Sequence, residues 1–224
     1  MLKNREGFLF PVFYRLYENC YGNTEYKEKR YMNQDFSPVI WPEEKVPEQA
    51  TNCQKCELHC QRSRIIWGEG NPKAPILVLL DNPGAREDKS GIEFVCGTRQ
   101  TLQRAVFETG LQMKDLYVTY VLKCRPLRRY DKETARSACL EYLVEQIDRQ
   151  KPMFVFCLGN IAAQWFFGEK DAEVKNLRGA WHSVRGYTTT TTYHPLAVRR
   201  RPNLYSTFLC DWKMLAERYF KEIH

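Results

Sequence analysis

Ile76-Leu77-Val78-Leu79-Leu80-Asp81-Asn82-Pro83-Gly84 is the stretch on which the fold turns. Five consecutive apolar residues bounded by a turn signal read as a strand buried on both faces, as in a parallel sheet. The run stops at a polar turn stiffened by Pro83 and opened by Gly84. In α/β proteins the loops at the carboxyl ends of such strands build the active site.

Working outward, 116–122, 153–158 and 187–193 read as further strands, short and rich in β-branched or aromatic residues. Helices are expected over 101–109, 133–150, Asn160–Phe167 and 204–223; in the second of these Cys139, Leu140, Leu143 and Ile147 recur at helical spacing. The alternation βαβαβαβα predicts a three-layer α/β/α fold around a central, mostly parallel four-stranded sheet. Residues 1–45, aperiodic and rich in Tyr, Phe, Lys and Glu, read as an N-terminal extension packed on a main domain of 46–224. Three strand ends carry chemistry: the 81–84 turn, Lys123-Cys124-Arg125-Pro126, and His194-Pro195. All three are expected to converge in one crevice.

A chain of 224 residues with 43% hydrophobic residues can bury a substantial core and is not a disordered polymer. Its net charge of +7 suits a polyanionic partner, and equally a solubilising surface. The N-terminus has no apolar signal core, and no run approaches the roughly 20 apolar residues of a membrane helix. A cytoplasmic, reducing location is therefore expected, nucleoid-associated if the source is bacterial, with the chain a monomer and no membrane partner.

Under reducing conditions nine cysteines point to metal more than to disulfides. Cys53-Gln54-Lys55-Cys56 is a two-thiolate hook, Cys124 ends a strand and Cys139 lies on the following helix. Four thiolates suit a cubane iron–sulfur cluster or a tetrahedral zinc, and spacing alone leaves both open. Cys20, Cys60, Cys96, Cys157 and Cys210 read as small buried hydrophobes, Cys60 with least support because it lies beside the hook.

At the strand ends, Asp81 or Asn82 can hold a water in place, although the tetrapeptide alone is an ordinary turn. Glu87, Asp88, Gly91 and Phe94 follow; an exposed Phe94 could stack on a flat ligand, but a lone Phe is more often core. His194 can donate to a developing anion, and Arg199-Arg200-Arg201 behind it can contact phosphates or simply form a solvated loop.

Taken together, Cys53-x2-Cys56-x-Leu58-His59, Gly68-Glu69-Gly70-Asn71, Pro83-Gly84-x2-Glu87-Asp88-x2-Gly91-x2-Phe94-Val95, Lys123-Cys124-Arg125-Pro126, Cys139, Leu158-Gly159, Leu177-Arg178-Gly179 and Thr192-Tyr193-His194-Pro195 resemble the uracil-DNA glycosylase superfamily, above all its iron–sulfur family 4. The resemblance spans roughly 50–220. It implies a 4Fe–4S cluster on Cys53, Cys56, Cys124 and Cys139 with a structural role. It also implies a DNA glycosylase that flips a damaged base and hydrolyses its N-glycosidic bond to leave an abasic site. Asn82 or Asp81 would position the water, His194 would stabilise the departing base, and Pro83, Gly84, Glu87, Phe94 and Tyr120 would line the base site. Leu196, Arg199, Arg200, Arg201, Lys123 and Arg125 would meet DNA.

Three departures bear on this. Asp81-Asn82 stands where the family has Glu followed by Gly or Ala, so two neighbours compete for the water. Tyr120 replaces an Asn whose amide matches both a donor and an acceptor of uracil, whereas a phenol offers one hydroxyl. Cys96 replaces a Gly. A glycosylase for another deaminated or modified base, such as one acting in defence against foreign DNA, is one alternative; a cluster-bearing DNA-binding module without turnover is another.

Overall fold

Every residue of the four inner strands but the first two of the last is buried, and the faces alternate strictly. The computed structural model describes residues 36–89 and 95–223. In chain order its elements are α1 (Glu48–Thr51), β1 (Glu69–Gly70), β2 (Ile76–Leu80), α2 (Gly97–Glu108), β3 (Leu116–Tyr120), α3 (Lys132–Gln150), β4 (Phe154–Leu158), α4 (Asn160–Phe167), α5 (Val174–Leu177), β5 (His182–Val184), β6 (Tyr187–Thr192), α6 (Pro195–Arg200) and α7 (Tyr205–Ile223), with short 3₁₀ turns between some of them.

The sheet order is β1-β3-β2-β4-β6-β5. The inner four strands are parallel, as expected. The four-stranded expectation is corrected to six, because β1 and β5 add antiparallel edges. Each is two or three residues long, too short to show a period. β5 enters β6 through Arg185 and Gly186, both with positive φ (52° and 82°), the conformation of a tight hairpin turn.

Odd and even residues go to opposite helical layers. Ile76, Val78 and Leu80, with Leu116, Val118, Phe154, Phe156 and Leu158, face α2, α6 and α7 through Leu102, Val106, Val198, Phe208 and Trp212. Leu77, Leu79, Val155 and Cys157 face α3 and α4 through Leu143, Ile147, Ala162 and Phe166. Three layers therefore enclose the sheet. Trp41 also enters the first core at 4% exposure, and Val39 and Gln103 exchange two hydrogen bonds of 2.7 and 2.9 Å.

In the buried part of the threonine strand, the hydroxyls of Thr189, Thr190 and Thr192 have acceptors, whereas Thr191 Oγ1 has none among the described residues. Thr190 donates to the Ala180 carbonyl at 2.8 Å and Thr192 to Asp211 at 2.6 Å, while Asp211 also holds Arg178. α3 begins at Asp131, whose side chain accepts from the Glu133 and Thr134 amides, and it ends at Lys151 in the left-handed conformation. That long, well-capped helix places Arg136 and Cys139 opposite the ends of β2 and β3.

Candidate active site and candidate metal centre

Sheet alternation separates the two rivals at the end of β2. Leu80 faces the α2 layer, so Asp81 turns toward α3. There its carboxylate takes the Arg136 guanidinium at 3.2 and 3.3 Å. Burial raises the Asp81 pKa and Arg136 opposes that shift. Asn82 is half-buried, its amide donates to the Pro83 carbonyl at 2.8 Å, and its Oδ1 makes no hydrogen bond among the described residues. Of the two, Asn82 has the free acceptor and Asp81 is committed to a helix.

His194 follows β6 and caps α6, and Pro195 occupies the first helical position, where its missing N–H costs nothing. The Leu196 amide donates to His194 Nδ1 at 3.1 Å. An accepting Nδ1 puts the ring proton on Nε2. Burial, with a lesser contribution from Arg99, lowers the His194 pKa to about 4. The side chain is thus a neutral Nε2–H donor near neutral pH. Gly159, at the end of β4 with φ +96°, lets the ring approach: a Cβ there would lie 2.9 Å from His194 Cβ.

Between these strand ends lies a buried polar cluster around Arg99, in the first turn of α2. Arg99 pairs with Glu69 of β1, donates to the Tyr120 hydroxyl, and lies 3.9 Å from Glu87. Its guanidinium is 5.5 Å from the Tyr120 ring centroid. Cys96 donates to Glu87 at 3.1 Å. Burial raises the pKa of Glu69 and of Tyr120. Sequence reading missed Arg99 and Glu69 as site residues. The signal for Arg99 was present: it shares the stripe of Leu102 and Val106, and a charge on the apolar stripe of a helix needs a partner.

Of the expected base-site residues, Glu87 and Tyr120 are brought together through Arg99. Pro83 is buried and Gly84 packs its Cα against Glu87: a Cβ at Gly84 would lie 2.6 Å from Glu87 Oε2. Gly91 and Phe94 lie outside the described residues. Asp88 is 1% exposed and anchors the turn, accepting from the Ser63 amide at 3.1 Å and lying 4.0 Å from Arg125.

Among the residues expected to meet DNA, Leu196, Arg199, Arg200 and Arg201 are all exposed. They lie on or at the end of helix α6, where a loop had been expected. Arg199 folds back on Gly97, at the start of α2. Arg125 is partly exposed beside Asp88. Lys123 is a correction. It is 1% exposed, and its Nζ donates to Thr119 Oγ1 at 2.7 Å, to the Tyr120 carbonyl at 2.8 Å and to Gln146. It cannot reach a phosphate, and burial lowers its pKa to about 7.

Cys53, Cys56, Cys124 and Cys139 line one cavity, with Lys55, Arg62, Lys123 and Tyr142. The hook supplies two thiols, the segment after β3 the third and α3 the fourth. Burial raises the pKa of Cys56 and Cys139 and pushes that of Cys124 up to about 12. Neighbouring donors oppose that shift: the Leu58 and Lys123 backbone amides serve Cys56 and Cys139, and Arg62 donates to Cys124 Sγ at 3.6 Å and to the Cys53 carbonyl at 2.8 Å. Buried sulfurs with N–H donors around them fit a cluster held by thiolates. Among the described residues, no three His, Cys, Asp or Glu side chains are grouped to hold a single metal ion. Of the remaining cysteines, Cys157 is buried, Cys96 bonds Glu87, and Cys60 is corrected to an exposed thiol beside His59; Cys20 lies outside the described residues.

A sequence model of the uracil DNA glycosylase superfamily matches residues 67–218. The chain is 33% identical over 180 residues to a type-4 uracil-DNA glycosylase of Archaeoglobus fulgidus, covering 77% of this chain and 90% of that protein. It is 34% identical over 179 residues to the type-4 enzyme of Pyrobaculum aerophilum, covering 76% and 91%. With the type-4 enzyme of Thermotoga maritima it shares 32% over 163 residues, covering 70% and 84%. The chain belongs to the uracil-DNA glycosylase superfamily and sits with its type-4 members.

Proposed function

We propose that this protein is a monofunctional DNA glycosylase that hydrolyses the N-glycosidic bond of uracil or a related damaged base in DNA and leaves an abasic site. The observation that carries the reading is His194: a neutral Nε2–H donor, fixed by the Leu196 amide at the carboxyl end of β6, in a chain of this superfamily. As the glycosidic bond breaks, negative charge develops on the leaving base, and a preorganised donor stabilises it without reorganisation. Asn82 positions the attacking water through its free Oδ1. Asp81 holds α3 through Arg136 instead of touching water. Pro83, Gly84, Glu87 and Tyr120 shape the base site, with Phe94 the stacking residue the family resemblance implies.

DNA reaches the site as a flipped or single-stranded base. Exposed Leu196 beside His194 serves as a wedge, and Arg199, Arg200 and Arg201, with Arg125, take phosphates. Cys53, Cys56, Cys124 and Cys139 would hold a 4Fe–4S cluster, which supplies a structural cross-link between the hook, β3 and α3. Residues 1–45 form the extension; its last residues, Trp41 among them, pack on the domain. We take the protein to act as a cytoplasmic monomer; no helix among the described residues is long and apolar enough to cross a membrane.

The test is a panel of oligonucleotides, each with one deaminated or modified base, scored for abasic sites under single turnover. Release of uracil or a close relative is expected. DNA binding with no base release across the panel would turn the reading to a module without turnover.

A further inference from the structure

We infer that Lys123 is the buried counter-charge of the four-cysteine centre: its ammonium offsets the negative charge of a thiolate-held cluster and sets that cluster's reduction potential. The inference rests on the 4Fe–4S reading above and assigns a role to a residue which that reading leaves idle.

Lys123 is 1% exposed and lines the thiol cavity with Cys53, Cys56, Cys124 and Cys139. Its Nζ has three acceptors: Thr119 Oγ1 at 2.7 Å, the Tyr120 carbonyl at 2.8 Å and Gln146 Oε1. None of the three can donate back. The Thr119 hydrogen goes to the Trp67 carbonyl or to Gln146 Oε1. Gln146 Nε2 is turned to the Trp67 carbonyl at 3.0 Å and the Tyr117 hydroxyl at 2.7 Å, which leaves its Oε1 facing Lys123. Three acceptors require three hydrogens, which an ammonium carries and a neutral amine does not.

A buried ammonium needs an anion near it. The three groups that hold Lys123 are all neutral. The carboxylate whose charge reaches it, Glu44, is engaged by Arg149 and the Tyr117 hydroxyl. The remaining anions are the thiolates: charge on Cys139 and charge on Lys123 favour one another. The other cations of the cavity are placed differently. Lys55 is exposed and paired with Glu141, and Arg62 is only half-buried while it donates to Cys124 Sγ. Lys123 is thus the fully buried positive charge among the residues lining this cavity, where water and salt screen least. Reduction adds an electron to an already negative cluster, so a fixed positive charge favours the reduced form.

The experiment measures iron content and then the cluster's midpoint potential, by spectroelectrochemical titration of the intact protein. Lys123→Met keeps the length of the side chain and removes its charge. It should lower the potential by about 59 mV, a tenfold change in the ratio of oxidised to reduced cluster for one electron. Lys55→Gln, which loses an exposed charge at the same cavity, should shift it much less. The sign separates charge from packing: if Lys123 only kept water out, its loss would admit water, which stabilises the more negative reduced form and raises the potential. Should Lys123→Met fail to fold, Lys123→Met/Gln146→Met also removes the acceptor left unpaired and serves the same comparison. A potential unchanged or raised in either folded variant, or equal shifts for the Lys123 and Lys55 variants, would overturn the inference. Wild-type protein holding zinc and no iron would overturn it together with the cluster reading, a case that metal analysis identifies before any potential is measured.

Discussion

The thiol cavity and the polar cluster at the strand ends are both assembled from distant segments, but by opposite means. In the cavity, each functional side chain is its own signal: four sulfurs, three chain segments, one enclosed space. In the strand-end cluster, the decisive groups act on one another. Arg99 ties Glu69, Glu87 and Tyr120 together, while Gly159 and the Leu196 amide fix His194. A site built from one ligand type announces itself by residue identity. A site built from a buried charge network shows only when the partners are seen side by side.

The largest expected effect is in the cavity. Cys139→Ser removes one leg of the cross-link. The wild-type protein should hold about four irons per chain, and the variant should lose the iron and much of its soluble yield. Stoichiometric zinc in anaerobically prepared wild-type protein would overturn the iron–sulfur reading.

In the crevice, His194→Ala should slow single-turnover release by roughly 10²–10³ with little change in DNA affinity. Equal rates for the two proteins would return His194 to a helix cap.

The contrast sharpens at the end of β2. Asn82→Ala should reduce the rate more than tenfold, by about 10²-fold if its acceptor orients the water, with little effect on stability. Asp81→Ala should do the reverse: it strands a buried Arg136 and should cost about 1–3 kcal/mol of stability. If Asp81→Ala alone abolishes release in a stable protein, the two assignments must be exchanged.

The pH dependence of stability follows from His194. Its folded pKa of about 4 lies below the ordinary 6.5, so between those values the unfolded chain binds more protons. Stability from the neutral ring is complete above about pH 6.5 and is lost as pH falls toward 4. Melting curves of wild type and His194→Gln should therefore converge as pH is lowered through that window; parallel curves would show that the ring is not held neutral.

The smallest effect is at the surface. Reversing the charges of Arg199, Arg200 and Arg201 should weaken DNA binding and flatten its salt dependence by about one unit of slope per lost phosphate contact. An unchanged slope would make α6 a solvated helix and nothing more.

What the sequence by itself determined is the part carried by period and spacing. Five apolar residues before Asp81 marked β2 to the residue, and Asn160–Phe167 was legible as a helix, because buried strands and capped helices bear strong local patterns. The four cysteines and the strand-end His194 stood out by residue type and place, while their roles came only from the family resemblance. Only the tertiary structure separated Asp81 from Asn82, since adjacent residues on a strand point to opposite layers and only one layer holds Arg136. It also buried Lys123 beneath Thr119 and Gln146, against the expectation raised by its place in a basic motif. The edge strands β1 and β5 emerged from pairing, being too short to carry a pattern of their own. Arg99 is the sharpest case: its charge is written in the chain, but its buried cluster exists only because β1, β3 and the 81–88 turn bring Glu69, Tyr120 and Glu87 around it.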